Sequence, residues 1–198
     1  MVEKWTKTSR ERNCRLFVNL LKKTMALEIL KPDLPNMPDE VIEVWLVPHY
    51  QRFGWPPSAN RDWRYIFGLD RPFEYFQSMT WEKTEIELTP SALTRSAFQT
   101  IIGLVQTHYF GQLTPYSGMS DSKERLDRCV DYLKEHGTYP KPVILLSTPE
   151  GYEILDGNHR VTAFFYLYGY FNTPNCDQAV PCLEVKQEQP FWAGTPSA

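Results

Sequence analysis

The sequence predicts an α/β fold, in which a mixed, curved sheet is surrounded by helices and preceded by an aromatic-rich N-terminal extension. The first observation is size: the chain has 198 residues, of which 42% are hydrophobic, enough for one packed domain or one domain with an extension. The second is that, from residue 84 onward, short runs that suit strands alternate with longer stretches that have helical spacing. The third is that prolines and aromatic residues are mixed irregularly between residues 31 and 81. We therefore expect an N-terminal elaboration at 1–83, a core at 84–186 and a tail at 187–198.

The N-terminal segment is basic. Residues 1–24 carry seven Lys and Arg against two Glu, a net charge of +5 in a chain whose total is −3. Leu16, Phe17, Leu20 and Leu21 recur at helical spacing and predict a short amphipathic helix that docks on the body or frays. The alternative is an arm that contacts phosphates or acidic lipid.

The next segment, residues 31–81, predicts short elements packed over a sheet or against a partner, because its prolines break long helices and its aromatic rings need burial. Val41–Val47 alternates enough to predict a strand. Most of the aromatic residues should form a satellite core. Trp55-Pro56-Pro57 is a candidate exposed epitope for a protein partner.

The core begins with a strand predicted at Thr84–Leu88. A helix should start at Thr89-Pro90-Ser91 and run to about His108. A second helix should follow Ser120-Asp121-Ser122 and end at Gly137, a typical C-terminal glycine.

The remaining core elements follow two prolines, Pro140 and Pro142. They are listed in chain order: a buried strand at Val143–Leu146, a strand at Tyr152–Leu155, a strongly apolar helix at Val161–Tyr170 and a last strand at Ala179–Val185. The tail, Gln187–Ala198, reads as disordered apart from Phe191-Trp192.

The pentapeptide Asp156-Gly157-Asn158-His159-Arg160 is the main candidate for chemistry, because it joins a strand directly to a helix and so exposes helix N-terminal amides at the sheet's edge. Gly157 permits a tight turn and the close approach of a phosphate, and Asn158 can cap the helix. Arg160 offers a planar fork of donors to phosphate oxygens. Asp156 can hold a metal ion or accept a proton, and His159 can contact phosphate or act as a general acid or base.

A purely structural role explains the same pentapeptide. Asp-Gly is a common hairpin turn, Asn is a routine helix cap, and a His-Arg pair on a first turn can simply face water. The position of these polar residues, between a buried strand and the most apolar helix of the chain, favours function over structure.

The stretch Pro142 to Leu146, followed by Tyr152-Glu153-Ile154-Leu155 and the pentapeptide with Val161-Thr162-Ala163, resembles the core signature of the ParB/sulfiredoxin superfamily. The resemblance extends more loosely over about residues 84 to 186. It implies that the Gly-x-x-Arg turn and the helix after it bind nucleotide phosphates. The nucleotide contacts that it implies are Gly157, Asn158, Arg160, Val161 and Thr162.

A second polar cluster precedes the helix at Lys123. The resemblance implies that this loop approaches the nucleotide, so that Ser120, Asp121 and Ser122 complete the phosphate or metal shell from across the pocket. The alternative is an ordinary helix-capping arrangement at Ser120 or Asp121.

The pentapeptide differs from the motifs of individual subfamilies, and these differences reduce the number of functions that the resemblance implies. Sulfiredoxins have their catalytic cysteine where this chain has Asn158, and partition proteins carry Glu-Arg-Arg in place of Asn158-His159-Arg160 and continue into DNA-reading regions. Free-serine kinases resemble the Asp-Gly-x-His-Arg pattern most, which makes Asp156 and His159 catalytic candidates. Small fertility-inhibition factors of this fold, associated with ATP hydrolysis, DNA cleavage and suppression of DNA transfer through type IV secretion, are similar in size.

We therefore expect ATP binding with Mg²⁺ held at Asp156, and ATP hydrolysis or phosphodiester cleavage that uses Asp156, His159 and Arg160. DNA and a secretion-system protein are the partners that the resemblance implies. One alternative is a non-catalytic module that binds a protein partner under control of a nucleotide. Another is an ATP-dependent small-molecule kinase.

Composition limits the other classes. No apolar run approaches a bilayer span, so a cytoplasmic location without a membrane span is expected. The four cysteines, at 14, 129, 176 and 182, are irregularly spaced and predict reduced thiols, not a zinc site. His49, His108 and His136 have no ligand-type residue at helical spacing, which predicts surface or helix-end roles for them.

Overall fold

The computed structural model describes residues 21–57, 61–68, 71–169 and 188–196. The chain divides into two compact units, Met1–Ser78 and Met79–Ala198. The second unit is a mixed α/β structure with a four-stranded sheet, and the first is helical and rich in aromatic residues. Most of the predicted basic arm, residues 1–20, lies outside the described residues, as do Cys14, Cys176 and Cys182.

The first unit consists of short helical segments. In chain order they are α1 (21–30), a 3-10 turn (Lys31–Asp33), α2 (Asp39–Val41), a π-helical segment (Ile42–Leu46), α3 (Val47–Phe53), α4 (Arg61–Phe67) and α5 (Phe73–Gln77).

The strand predicted at Val41–Val47 is wrong, because this segment is helical. Its buried residues Val41, Ile42, Trp45 and Leu46 recur at i, i+1, i+4 and i+5, which places them on one helical face. Glu43 is the one polar residue in this short apolar run, so the sequence alone does not separate the period of a strand from that of a helix.

An aromatic cluster holds the first unit together, as the sequence predicts. Trp45 contacts Phe67 and Phe76 edge-on, with ring centroids 5.7 and 5.5 Å apart, and Trp63 stacks on Phe67 at 5.4 Å. The exposed epitope predicted at Trp55 is not supported. The Trp55 indole packs on Trp63, with centroids 5.3 Å apart, and its N–H donates to an Asp33 carboxylate oxygen at 2.7 Å.

The second unit contains the predicted core. In chain order its elements are β1 (Thr80–Glu87), a 3-10 turn (Pro90–Ala92), α6 (Arg95–His108), α7 (Ser122–His136), β2 (Val143–Thr148), β3 (Gly151–Asp156), α8 (Asn158–Leu167) and β4 (Glu188–Thr195). The sheet order is β1-β4-β2-β3. β4 pairs antiparallel with β1 and parallel with β2, while β2 and β3 form an antiparallel hairpin.

The helices that frame the site follow the sequence signals closely. α6 begins at Arg95 and is capped by Thr94, whose hydroxyl accepts a hydrogen bond from the Ala97 amide at 3.3 Å. It does not begin at the predicted Thr89-Pro90-Ser91, since Pro90–Ala92 forms the 3-10 turn. α7 ends at Gly137 in the left-handed conformation, with φ of 68°. The predicted end of α6 at about His108 is confirmed.

The C-terminal tail was predicted to be disordered, and this prediction is wrong: its residues form β4, which lies between β1 and β2. The buried side chain of Gln189 ties it down, because its amide oxygen accepts from the Tyr139 N–H at 2.9 Å and its NH₂ donates to the Gly137 carbonyl at 3.2 Å. The strand predicted at Ala179–Val185 lies outside the described residues.

The hydrophobic core of the second unit lies between the sheet and helices α6, α7 and α8. The first four residues of β2, Val143 to Leu146, are fully buried, which confirms that prediction. On α8, Val161, Ala163 and Phe165 have no exposed surface. In the parts of the chain that the structure describes, none of the helices has the length and apolarity that a membrane crossing requires.

Candidate functional site

The turn between β3 and α8 places the pentapeptide at one end of the sheet. Asp156 is the last residue of β3, Gly157 caps α8 with φ of 108° and ψ of 19°, and Asn158 is the first helical residue. The first three amides of a helix have no acceptor within it, so those of Asn158, His159 and Arg160 form the positive end of the α8 dipole.

Gly157 is required for a reason other than the predicted approach of a phosphate. A Cβ at this position would lie 2.9 Å from Val143 and 3.0 Å from the Arg160 guanidinium nitrogens Nε and Nη2. The positive φ also disfavours any residue with a side chain. The space over this glycine is therefore filled by the protein's own side chains.

Arg160 faces the protein, and the prediction that its fork holds phosphate is not supported by this arrangement. Its Nη2 donates to the Asp156 carboxylate, and its Nη1 donates to the carbonyls of Pro142 and Lys141 at 3.1 and 3.3 Å. Only 9% of the residue is exposed. Arg160 thus joins the start of α8 to the end of β3 and to the segment that enters β2.

The same ion pair bears on the predicted metal site. Asp156 is the main metal ligand that the sequence predicts, and its carboxylate is paired with the Arg160 cation, which competes with a metal ion for it. Among the described residues, no group of three or more His, Cys, Asp or Glu side chains gathers to hold a metal. These residues do not fit a metal ion held by the protein alone.

Other predicted contacts of α8 are internal to the fold. Asn158 does not act as the predicted cap, since the capping position is Gly157 and no side chain caps the helix there. The Thr162 hydroxyl is buried and donates to the Asn158 carbonyl at 2.7 Å, and the Val161 side chain is fully buried. The backbone of this first turn and the side chains of Asn158 and His159 remain candidates for a ligand.

His159 meets the second polar cluster through Ser122. The Ser122 hydroxyl is fully buried and lies 2.8 Å from Nε2 of His159. The same hydroxyl lies 2.9 Å from Nε2 of His108, the last residue of α6. One hydroxyl therefore bridges two imidazoles and connects helices α6, α7 and α8.

Both imidazoles are biased toward the neutral form. Burial is the largest cause that lowers the pKa of His159, to about 4, and the nearby Arg125 cation and His108 lower it further. Asp121 acts in the opposite direction, and Arg160 adds to the lowering.

For His108, burial lowers the pKa first and the Lys123 cation second, against the raising effect of Asp127. Both rings are thus neutral at pH 7, each with one nitrogen that donates and one that accepts.

The rest of the predicted cluster is on the surface. Ser120 and Asp121 are exposed, and Asp121 pairs with Arg125 one turn along α7 at 3.0 Å, without capping the helix. Both the predicted nucleotide contact through these two side chains and the alternative capping arrangement lack support. Of the three predicted residues, only Ser122 reaches the pentapeptide.

Two residues that the sequence analysis did not single out contribute to the site. The sequence predicts that His108 stands alone, because no ligand-type residue lies at helical spacing from it. Its partner in the fold is Ser122, 14 residues away. Arg125 lies near enough to His159 to lower its pKa, and its Nε is buried without a hydrogen-bond partner among the described residues. An Arg on the exposed, charged face of a helix carries no sequence signal that separates it from its neighbours.

Cys129 lies close enough to the Arg160–Asp156 ion pair for both charges to affect the pKa of its thiol. Burial raises the pKa of its thiol, against the lowering effect of Arg160 and Arg128. The raised pKa keeps this thiol protonated at pH 7, and Cys129 forms no disulfide among the described residues.

A separate pocket of about 390 Å³ lies within the first unit and contains none of the predicted site residues. Aromatic side chains and two arginines, Arg64 and Arg71, line it. It belongs to the aromatic region and not to the pentapeptide.

Comparisons with known proteins add no assignment: no family model, curated protein or solved structure matches this chain.

Proposed function

We propose that the second unit is a ParB/sulfiredoxin-like core that binds a nucleoside triphosphate, ATP in the first instance, at the first turn of α8 and hydrolyses it. The observation that carries the proposal is His159: a neutral imidazole, held by a buried hydroxyl, on the helix turn whose free amides attract anions. A neutral imidazole is the form that can accept a proton from an attacking water.

The phosphate contacts of this proposal differ from those that the sequence predicts. The amides of Asn158, His159 and Arg160 provide the anion-binding turn, and Arg125 provides the cation in place of Arg160. Arg125 is available for this role because its ion pair with Asp121 is solvent-exposed, and exposed pairs contribute little to stability. The guanidinium of Arg160 holds the turn in shape.

His159 then orients and deprotonates water beside the terminal phosphate. Since no metal-binding group of side chains forms among the described residues, Mg²⁺ enters the proposal only as the counterion of the triphosphate, and no step depends on a metal ligand from the chain. The same proton transfer serves cleavage of a phosphodiester bond, so DNA is the second substrate to assay. Suppression of conjugative DNA transfer through type IV secretion is the biological use that we propose for such an activity.

Phosphate release from ATP, with a plasmid-nicking assay beside it, tests the proposal. His159→Gln keeps a hydrogen-bonding side chain but cannot take a proton, and we expect turnover to fall by a factor of about 10² or more, the usual contribution of a general base. His136→Gln is the matched control, because His136 is an exposed histidine at the far end of α7. Equal turnover in wild type and His159→Gln would show that any activity lies elsewhere.

The assay also separates the two alternatives. A non-catalytic nucleotide-controlled module would bind ATP without any turnover that depends on His159. A small-molecule kinase would produce ADP only when a hydroxyl-bearing acceptor such as free serine is present, with a phosphorylated product visible by mass spectrometry.

A further inference from the structure

The Ser122 hydroxyl makes hydrogen bonds to two histidine rings, which neither helix capping nor core packing requires. A serine hydroxyl carries one proton, so it can donate to only one of the two Nε2 atoms that lie 2.8 and 2.9 Å away. The other Nε2 must carry its own proton and donate to the oxygen. The two histidines are therefore locked in complementary tautomers, one accepting and one donating.

The proposed function fixes which group donates in each of these two hydrogen bonds. A base needs a free lone pair toward the substrate, and since Nε2 of His159 is engaged with Ser122, that lone pair must be on Nδ1. His159 is then the donating ring, through Nε2–H to Ser122, and the Ser122 hydroxyl donates to Nε2 of His108. The Nδ1 proton of His108 is left for solvent.

The surroundings of the three residues support a route outward. Ser122 is fully buried, whereas His108 is partly exposed and ends α6 just before the exposed segment 110–113. The hydroxyl thus separates a ring at the candidate site from a ring that reaches solvent.

The charged groups that face the two rings are Arg125, Asp121 and Arg160 at His159, and Lys123 and Asp127 at His108. His159 thus has two cations and one carboxylate nearby, and His108 has one of each. Burial lowers the pKa of both rings, so both are neutral at pH 7. Each ring can therefore take part in the hydrogen bonds with Ser122 before His159 accepts a proton from water.

We propose that Ser122 and His108 form a proton relay that carries the proton taken up by His159 to solvent, and that both act as positioning residues which fix the ring orientation and tautomer of His159. This inference rests on the proposed function for the source of the proton. In the transfer, water first gives a proton to Nδ1 of His159. The Nε2 proton of His159 then passes to the Ser122 oxygen. The Ser122 hydroxyl proton in turn passes to Nε2 of His108. His108 then releases its Nδ1 proton to solvent. In the second half of the cycle solvent returns a proton to Nδ1 of His108, and the same steps in reverse deliver one from Nδ1 of His159 to the phosphate products, which restores the starting tautomers.

Only N–H and O–H bonds form and break in these steps. No oxidant, reductant or metal is involved. The relay differs from a serine nucleophile, because the Ser122 oxygen is enclosed and makes no bond to phosphorus.

The first test is turnover of ATP by His108→Gln, with His136→Gln as control. Glutamine can still hydrogen-bond Ser122 but cannot carry a proton onward. We expect turnover to fall about tenfold or more in weakly buffered solution and to recover as imidazole buffer is added, because a small base then replaces His108. Wild-type turnover in His108→Gln, or a loss that added imidazole leaves unchanged, would overturn the relay.

A second measurement does not need activity. Long-range ¹H–¹⁵N NMR of the histidine rings in the wild-type protein should show protonated Nε2 on His159 and protonated Nδ1 on His108 at pH 7, and Ser122→Ala should release both rings from these fixed tautomers. The opposite pair of tautomers, or averaged ones in the wild type, would overturn the proposal. If no nucleoside triphosphate is hydrolysed, the proposed function fails and the relay is judged by this spectrum alone.

Discussion

Gly157 and Arg160 occupy adjacent space: a methyl group on Gly157 would lie 3.0 Å from the Arg160 guanidinium. Because Gly157 has no side chain, the arginine can fold back over the turn. There it pairs with Asp156 and donates to the carbonyls of the segment that enters β2. The Gly-x-x-Arg pattern is thus a single structural unit that fixes the shape of the turn at which α8 begins. The candidate site depends on this unit for its shape.

Gly157→Ala should destabilise the second unit. The new Cβ would meet Val143 and Arg160, and the φ of 108° is strained for a residue with a side chain, which together cost about 1–3 kcal/mol. Gly118→Ala is the control, because nothing lies within 4 Å of its Cβ position. Urea unfolding of the two variants should show a large loss for the first and little change for the second.

Arg160→Met should cost stability without abolishing nucleotide binding. Loss of the guanidinium leaves the Asp156 carboxylate and two backbone carbonyls without their donors, a cost of about 2 kcal/mol. Arg128→Met is the control, since Arg128 is exposed and its ion pair with Glu124 lies on the surface of α7. A variant that is as stable as wild type yet has lost all ATP affinity would reverse the roles given to Arg160 and Arg125.

Stability should fall as the pH falls from 6.5 toward 4. His159 has a pKa of about 4 in the folded protein against an ordinary value of 6.5, so the unfolded chain binds more protons within that window. The stabilising effect is complete above pH 6.5 and is lost toward pH 4. Because one pKa unit corresponds to about 1.4 kcal/mol and solvent screens a half-buried ring, we expect a loss on the order of 2 kcal/mol.

Urea unfolding at pH 7 and pH 4.5 measures this dependence. His159→Gln should flatten the curve over the window, whereas His136→Gln should leave it steep. An equal pH dependence in wild type and His159→Gln would contradict the burial of this ring.

Gln189→Leu should loosen the contact between β4 and the end of α7. The change leaves the Tyr139 amide and the Gly137 carbonyl without partners, and each such buried group costs about 1–3 kcal/mol. Glu188→Leu is the matched control on the exposed face of the same strand. Hydrogen exchange at the Tyr139 amide should accelerate in the first variant only.

Local signals explain which parts of the fold could be predicted. The end of α7 at Gly137, the buried β2 strand and the β2–β3 hairpin each depend on residues close together in sequence, where turn chemistry and periodicity act. β4 could not be predicted this way. Its place in the sheet depends on pairing with β1, more than a hundred residues earlier, and on a polar residue, Gln189, that is buried only because two backbone groups need it.

The candidate site was predicted in part for a similar reason. The meeting of Ser122 with the pentapeptide followed from the resemblance, and their side chains do meet, at His159. For Arg160 the sequence did not separate two partners, because the same fork of donors suits a carboxylate or a phosphate, and the fold places it on the Asp156 carboxylate. His108 was missed because its partner is 14 residues away and not one helical turn away.

The measurement that tests the central claim most directly is calorimetric titration of a non-hydrolysable ATP analogue with Mg²⁺ into wild type, Arg125→Gln and Arg128→Gln. Both arginines lie on α7, but only Arg125 lies beside His159. We predict saturable binding to wild type and Arg128→Gln, and affinity weakened about tenfold or more in Arg125→Gln, as expected for the loss of one charged hydrogen bond to phosphate. Absence of heat with wild type, or equal affinity in all three proteins, would contradict a triphosphate site at the first turn of α8.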